Sequence, residues 1–476
     1  MSRIFLGTAF FTIVLLLICS QTNLCTSRNA IARRLYRCVQ LGELMFVFGC
    51  LNDVFQNDVL VSAHQPKSKR KSKSKSSRPL NLNVRWFAPF LSGGGYCSEA
   101  LSYIMELHKH ANLAVVQHGD SVNPRFVEGL PAAVKETLQK AMYTRFPPRS
   151  TIDICHSEPG AWSVPTPMYP TSTCPSEDRL YAVGRTMFET DRLPDGWLRR
   201  LKAMDEIWVP SKFHEKIFED AGLARESIHV IPEAVDTELF DPTKSSPHKL
   251  LSADKRFKFL SVFKWEARKG WDILLEAFLS QFPAKENRAV LYIKTMHYHT
   301  DGDFKQKILE FASNKLGLND PSDISNIIVL DEDIPLKQMT QLYASSDCFV
   351  LPSRGEGWGR PHIEAMAMGL PVVATNWSGN TEFMKDYNSF LIPIEGLEPV
   401  REGAFTGHLW ARPSVKGLMD ILKKIFENPN EAKRIAKVGM EEVRKFYNPD
   451  AVANVVMHRL RAIEQILAQR SVRGEL

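Results

Sequence analysis

Between residues 84 and 375 the chain alternates short, unbroken apolar runs with longer amphipathic stretches, and that rhythm constrains the fold more than any other feature. Runs at 84–90, 113–117, 152–155, 181–188, 206–210 and 229–231 make a first series. Runs at 257–263, 290–294, 327–330, 348–351 and 371–375 make a second. Apolar runs without polar alternation suit strands covered on both faces, as parallel strands are, and the stretches between them supply the covering helices. The expected class is therefore α/β, with two Rossmann-like domains facing across a cleft. Asp241-Pro242-Thr243-Lys244-Ser245-Ser246-Pro247 has the composition of the linker between them. Ligands of such sheets bind beyond the carboxyl ends of the strands. A last helix, near residues 451–469, is expected to cross back onto the first domain.

Charge excludes one class of partner. The formal net charge is +6, but residues 67–78 carry seven basic residues and no acidic one, leaving −1 for the rest. The basic excess belongs to a solvated linker, so no nucleic-acid partner is expected. Residues 4–19 are uncharged and mostly apolar, short for a spanning helix and long for a signal-peptide core. They read as a signal anchor or a cleaved signal peptide. The segment at residues 44–51 is too short to span. The chain divides into 1–27, signal anchor or signal peptide; 28–80, stem and basic low-complexity linker; 81–240, first Rossmann-like domain; 250–450, second; and 451–476, helix and tail. The eight cysteines include no Cys-x-x-Cys pair and do not decide the compartment.

The densest motif is Glu356-Gly357-Trp358-Gly359-Arg360-Pro361-His362-Ile363-Glu364, which follows the apolar run 348–351. Pro361 stands where a helix would begin and Gly369 just past its last turn. Strand, glycine-rich turn and helix start make a site for an anionic ligand, with Glu364 one turn into the helix and able to hold a pair of hydroxyls. Residues 350–384 resemble the signature of the retaining glycosyltransferases of family 4, which have the GT-B fold. The resemblance implies that Glu356 contacts the donor sugar, that Glu364 holds the nucleotide ribose, and that the second domain binds the donor and the first the acceptor.

Other candidates gain meaning beside that motif. Lys264 and Lys269 bracket a short loop between the run 257–263 and a helix start, a clamp that neutralises charge on a leaving diphosphate. The family usually has Arg at the first position, so Lys264 keeps the charge but loses the bidentate fork, and Arg268 competes for the role. Ser92-Gly93-Gly94-Gly95-Tyr96 lies between a strand and a helix expected at residues 98–108, and the family carries a glycine-rich loop there. Gly94, Gly95 and Gly359 are thus substrate-binding candidates. Glu189 stands near the place where many relatives carry His; it orients a sugar hydroxyl, takes the acceptor's proton, or pairs with Arg185 or Arg192 as structure. His156 follows a strand and is expected on the acceptor side, whereas His118 reads as a strand-end polar residue. Asp331-Glu332-Asp333 mimics a metal motif but reads as a helix cap. No metal and no cofactor is expected beyond the donor substrate.

The expected activity is transfer of a sugar from a nucleotide-diphosphate donor to a hydroxyl acceptor with retention, catalysed through Glu356 and Glu189. The partners are a nucleotide sugar, a glycan or lipid-linked acceptor, and a membrane of the endoplasmic reticulum or Golgi, with the side undetermined. The alternatives are a nucleotide-sugar 2-epimerase of the same fold and a non-catalytic nucleotide-sugar-binding relative. The sequon Asn376-Trp377-Ser378 lies beside the proposed donor site, where a glycan would obstruct it.

Overall fold

Six parallel strands build the first sheet in the order β2-β1-β3-β4-β5-β6: β1 Asn83–Ala88, β2 Asn112–Gln117, β3 Thr151–His156, β4 Tyr181–Arg185, β5 Glu206–Val209 and β6 Ile228–Val230. Six more build the second, in the order β12-β11-β10-β7-β8-β9. These are β7 Phe257–Val262, β8 Ala289–Lys294, β9 Ile327–Leu330, β10 Cys348–Leu351, β11 Val372–Thr375 and β12 Phe390–Ile392, again all parallel. This computed structural model describes residues 82–162, 172–297, 302–401 and 403–474. The apolar segment at 4–19 and the basic run at 67–78 lie outside the described residues. Among the described residues, no helix is long and apolar enough to cross a membrane.

The helices that matter to the site are α1 (Gly95–Leu107), α2 (Lys212–Asp220), α3 (Trp271–Gln281), α4 (Arg360–Ala367), α5 (Pro429–Phe446) and α6 (Pro449–Val472). Strands β8, β10 and β11 are buried along their whole length, which is why each reads as a continuous apolar run. Helix α6 returns to the first sheet. Its Val452, Val456, Leu460, Ile463 and Leu467 join Trp86, Ile104 and Ile154 in one core. Arg459 of α6 grips the buried Glu206 of β5 through two bonds, of 2.9 and 2.5 Å. The segment 241–247 is an ordered turn: Asp241 caps Thr243 and pairs with Arg444 of α5 at 3.2 Å.

Expected and observed elements differ in ways with identifiable causes. β12 and an antiparallel hairpin, β13 (Ile394–Pro399) with β14 (Leu409–Pro413), were not expected. The hairpin's Glu395, Gly396 and Leu397 are exposed, so it has no apolar run to announce it. α1 begins at Gly95 rather than 98, and Arg360 precedes Pro361 in α4. The acidic triplet at 331–333 caps nothing. The next helix, Leu336–Ala344, has Pro335 at its N-cap, and the exposed triplet instead acts electrostatically on Lys294.

Candidate functional site

Each sheet reverses its winding once, and ligands of open α/β sheets bind where that happens. In the second sheet the reversal lies between β7 and β10, so the loops after these strands converge. The loop after β7 carries Lys264, Arg268 and Lys269; the loop after β10 carries Glu356 and leads into α4. Lys269 Nζ lies 2.8 Å from both oxygens of Glu356, and Arg268 Nη1 lies 3.3 Å from Glu356 Oε2. Glu356 is 5% exposed. Burial acts to raise its pKa, but the charges of Lys269 and Arg268 prevail and hold it at about 2.

Arg354, which no sequence motif marks, braces this loop. It forks onto Asp272 of α3 at 2.8 and 2.7 Å, onto Glu398 of β13 at 2.8 Å, and donates to the Ala267 carbonyl at 2.7 Å. Ser378 secures the other side, donating to the Glu356 carbonyl at 2.8 Å from a left-handed backbone (φ 75°). Its neighbour Asn376, the sequon asparagine, is exposed. Gly359 is the N-cap of α4 at φ 104°, and a Cβ there would also meet His362 Nδ1 at 2.8 Å. One turn into α4, Glu364 accepts from Tyr343 Oη at 3.1 Å. Burial raises its pKa against the opposing pull of Arg360 and the Tyr343 hydroxyl.

The first domain presents its own reversal point, between β1 and β3. Gly94 is the N-cap of α1 and Gly95 its first residue; a Cβ on Gly95 would meet nothing within 4 Å, so the cleft is open there. Asp120, after β2, comes within 3.6 Å of where a Gly94 Cβ would lie, and it attracts Lys264 of the other domain. Lys264 feels Glu266, Lys269 and Arg268 of its own loop more strongly than Asp120, and Arg268 joins Lys269 at Glu356.

Glu189 pairs with neither Arg185 nor Arg192. It faces Arg268 across the cleft at 3.7 Å, while Arg192 binds Asp191 and Arg185 binds Glu99. Burial opposes the positive charge of Arg268, yet Glu189, Glu266 and Glu356 together hold the guanidinium firmly protonated. The backbone around Glu189 is fixed by contact. A Cβ on Gly355 would fall 2.1 Å from the Glu189 carbonyl oxygen, so only glycine lets the two domains meet there. The hairpin secures the same segment, with Leu409 N donating to Asp191 Oδ1 at 2.6 Å and Phe405 packing on Phe188 at 4.7 Å.

His156 is not on the cleft wall. It is fully buried as the last residue of β3, bonded to Trp86 Nε1 at 3.1 Å and facing Glu99 Oε2 at 3.0 Å. Its ring is enclosed by Trp86, Tyr96 and Tyr103, which close over the end of the strand. His118, just after β2, is buried and bonded to the Ser172 carbonyl at 2.6 Å. Cys155, beside His156, forms a disulfide with Cys174 across 19 residues, a pairing no motif in the sequence marked. Among the described residues, the one carboxylate–histidine grouping compact enough for a metal is Glu106, His110 and Asp450, a largely exposed set where α1 ends and α6 begins.

The fold and this arrangement define a two-domain GT-B architecture. Similar solved structures include an Anabaena protein, Alr3699/HepE, in complex with UDP and glucose (TM-score 0.58, 16% identity, 80% of this chain and 100% of that one). Sucrose-phosphate synthase from Thermosynechococcus elongatus is also similar (TM-score 0.54, 16% identity, 81% and 100% covered). Residues 254–399 match the family model of glycosyl transferases group 1. Over 171 residues the chain is 33% identical to mannosylfructose-phosphate synthase of Agrobacterium fabrum, covering 34% of this chain and 36% of that protein. Over 223 residues it is 27% identical to the lipopolysaccharide core mannosyltransferase LpsB of Rhizobium meliloti, covering 44% and 59%. Human alpha-1,3/1,6-mannosyltransferase ALG2 is 22% identical over 270 residues, covering 55% and 59%. The chain therefore spans between about a third and three-fifths of these relatives.

Proposed function

We propose that this protein is a glycosyltransferase that moves a sugar from a nucleotide-diphosphate donor to a hydroxyl acceptor with retention of configuration. The observation that carries the reading is the convergence of Lys269, Arg268 and Glu356 where the second sheet reverses its winding. In this reading Glu364 holds the ribose and Glu356 the donor sugar, while Lys269 and Arg268 stabilise the departing diphosphate. Lys264 stands beside them in the loop after β7, and the Gly94–Gly95 loop borders the acceptor side. The bond from C1 to the diphosphate oxygen breaks and a bond from C1 to the acceptor oxygen forms. The acceptor's proton passes to Glu189 or to the departing diphosphate. With two cations and the α4 N-terminus facing the diphosphate, the reading needs no metal. Similar proteins, one in complex with UDP and glucose and two that are mannosyltransferases, support a nucleotide sugar as donor.

The same reading has the protein anchored by residues 4–19 on an endomembrane of the endoplasmic reticulum or Golgi. The Cys155–Cys174 disulfide supports a lumenal catalytic domain, because disulfides persist in oxidising compartments. The test is to incubate purified full-length protein with a panel of nucleotide sugars, with and without glycan and lipid acceptors. Transfer supports the reading, whereas interconversion of the nucleotide sugar without an acceptor indicates an epimerase, and binding without either product indicates a non-catalytic relative.

A further inference from the structure

Arg360, the first residue of α4, stands between two carboxyl groups that belong to different domains. Its Nη1 donates to Glu233 Oε2 and to the Ala234 carbonyl, each at 3.3 Å. Glu233 lies just after β6 in the first domain and is 2% exposed. One turn along α4 sits Glu364, which is electrostatically coupled to Arg360 and bonded on its other side by Tyr343. Behind Glu233 the charges continue inward. Arg185 donates to the Ile231 carbonyl at 2.6 Å and pairs with Glu99, which in turn faces His156.

The chemistry proposed above uses neither Arg360 nor Glu233. Burying so many charged groups is unfavourable unless each is paired, and replacing them with packed apolar side chains is often at least as stable. Such a set between two domains, ending beside a substrate-binding carboxylate, points to a role beyond stability.

We propose that Arg360 is a positioning residue for donor binding: tethered by Glu233 of the first domain, it fixes the aim of Glu364 at the nucleotide ribose. Affinity for the donor is then set in part by a residue of the acceptor-side domain. The inference rests on Glu364 being the ribose ligand.

The test titrates UDP and GDP against the full-length protein and follows whichever binds more tightly. Glu233→Ala removes the acceptor of the Arg360 hydrogen bond and is expected to weaken that nucleotide about tenfold, as loss of one hydrogen bond to a charged group does. At saturating donor its kcat should stay within about twofold, since no group at the reacting centre has changed. Glu233→Gln keeps an oxygen facing the guanidinium and restores affinity. Arg360→Lys removes the guanidinium that bonds both Glu233 and the Ala234 carbonyl and weakens binding like Glu233→Ala, and combining the two costs no more than either alone. A folded Glu233→Ala protein that binds like wild type, or that loses kcat instead of affinity, overturns the proposal. If Glu233→Ala does not fold, undiminished binding by Arg360→Lys overturns it equally. Glu364→Ala separates the two readings. If it binds normally, the ribose assignment itself fails; if it alone is impaired, only the tether fails.

Discussion

Lys269 Nζ is equidistant, at 2.8 Å, from the two carboxylate oxygens of Glu356, although the two residues come from different loops 87 positions apart. The pair brings a cation suited to a diphosphate and an anion suited to sugar hydroxyls into direct contact at one end of the second sheet. Each orients the other, and Arg268 adds a second cation with its own tie to Glu189.

Removing that cation should strike turnover. Lys269→Ala is expected to lower kcat by roughly 10²–10³-fold, the scale for loss of one charge-stabilising group. Chelator should leave the wild type unchanged. Activity abolished by EDTA and restored by Mg²⁺ or Mn²⁺ would show that the cations do not suffice.

The two glutamates should separate by function. Glu364→Ala is expected to weaken nucleoside-diphosphate binding by roughly 1.5–3 kcal/mol, through loss of a charged hydrogen-bond partner. Glu356→Ala should cut turnover more than it cuts affinity. Calorimetric titration of both variants, alongside their kcat values, checks the division, and equal losses of affinity would refute it.

The Cys155–Cys174 disulfide closes a loop of 19 residues, for which chain-entropy reasoning gives about 3 kcal/mol of stability. Reduction, or replacement of both cysteines by Ala, should lower the melting temperature of the first domain. Protein isolated from sealed microsomes should show both thiols blocked before reduction. Free thiols at both positions, with the catalytic domain digested by external protease, would point to the cytosolic face.

Glu233 makes stability depend on pH. Burial and the negative charge of Glu99 push its carboxyl up to about 8, outweighing Arg360 and Arg185. Between the ordinary value of 4.5 and 8, the folded protein keeps a proton that the unfolded chain releases. Stability from this group is thus full below pH 4.5 and is lost as pH rises through 8. Melting temperature should decline from pH 5 to 8, and Glu233→Gln should flatten the decline. An unchanged slope in the variant would contradict the assignment.

The parallel strands were legible because cover on both faces leaves an uninterrupted apolar run, as in Cys348–Leu351, which matches to the residue, as does the half-buried edge strand Ile327–Leu330. The hairpin β13–β14 escaped notice because polar residues and Gly396 break its pattern. Local motifs exposed Glu356, Glu364 and Lys269, since a strand, a turn and a helix start sit within a few residues of each. The groups joined only by tertiary structure were hidden: Arg354 on Asp272 and Glu398, Glu233 on Arg360, and Glu189 on Arg268. Glu99 alone left a trace. It is a carboxyl within the otherwise apolar buried stripe of α1, with Cys97, Ala100, Tyr103, Ile104 and Leu107. His156 stands at the expected strand end but is enclosed by Trp86, Tyr96 and Tyr103, neighbours that only the tertiary structure brings there.

The most direct measurement follows both products of one reaction. Full-length protein, a nucleotide sugar and an acceptor drawn from the panel are combined, nucleoside diphosphate is quantified, and the anomeric configuration of the glycosylated acceptor is read by NMR. The account predicts one nucleoside diphosphate released for each acceptor glycosylated, with the donor's anomeric configuration retained, and near-complete loss of both products in Glu356→Ala. An inverted product, or undiminished transfer by Glu356→Ala, would contradict it.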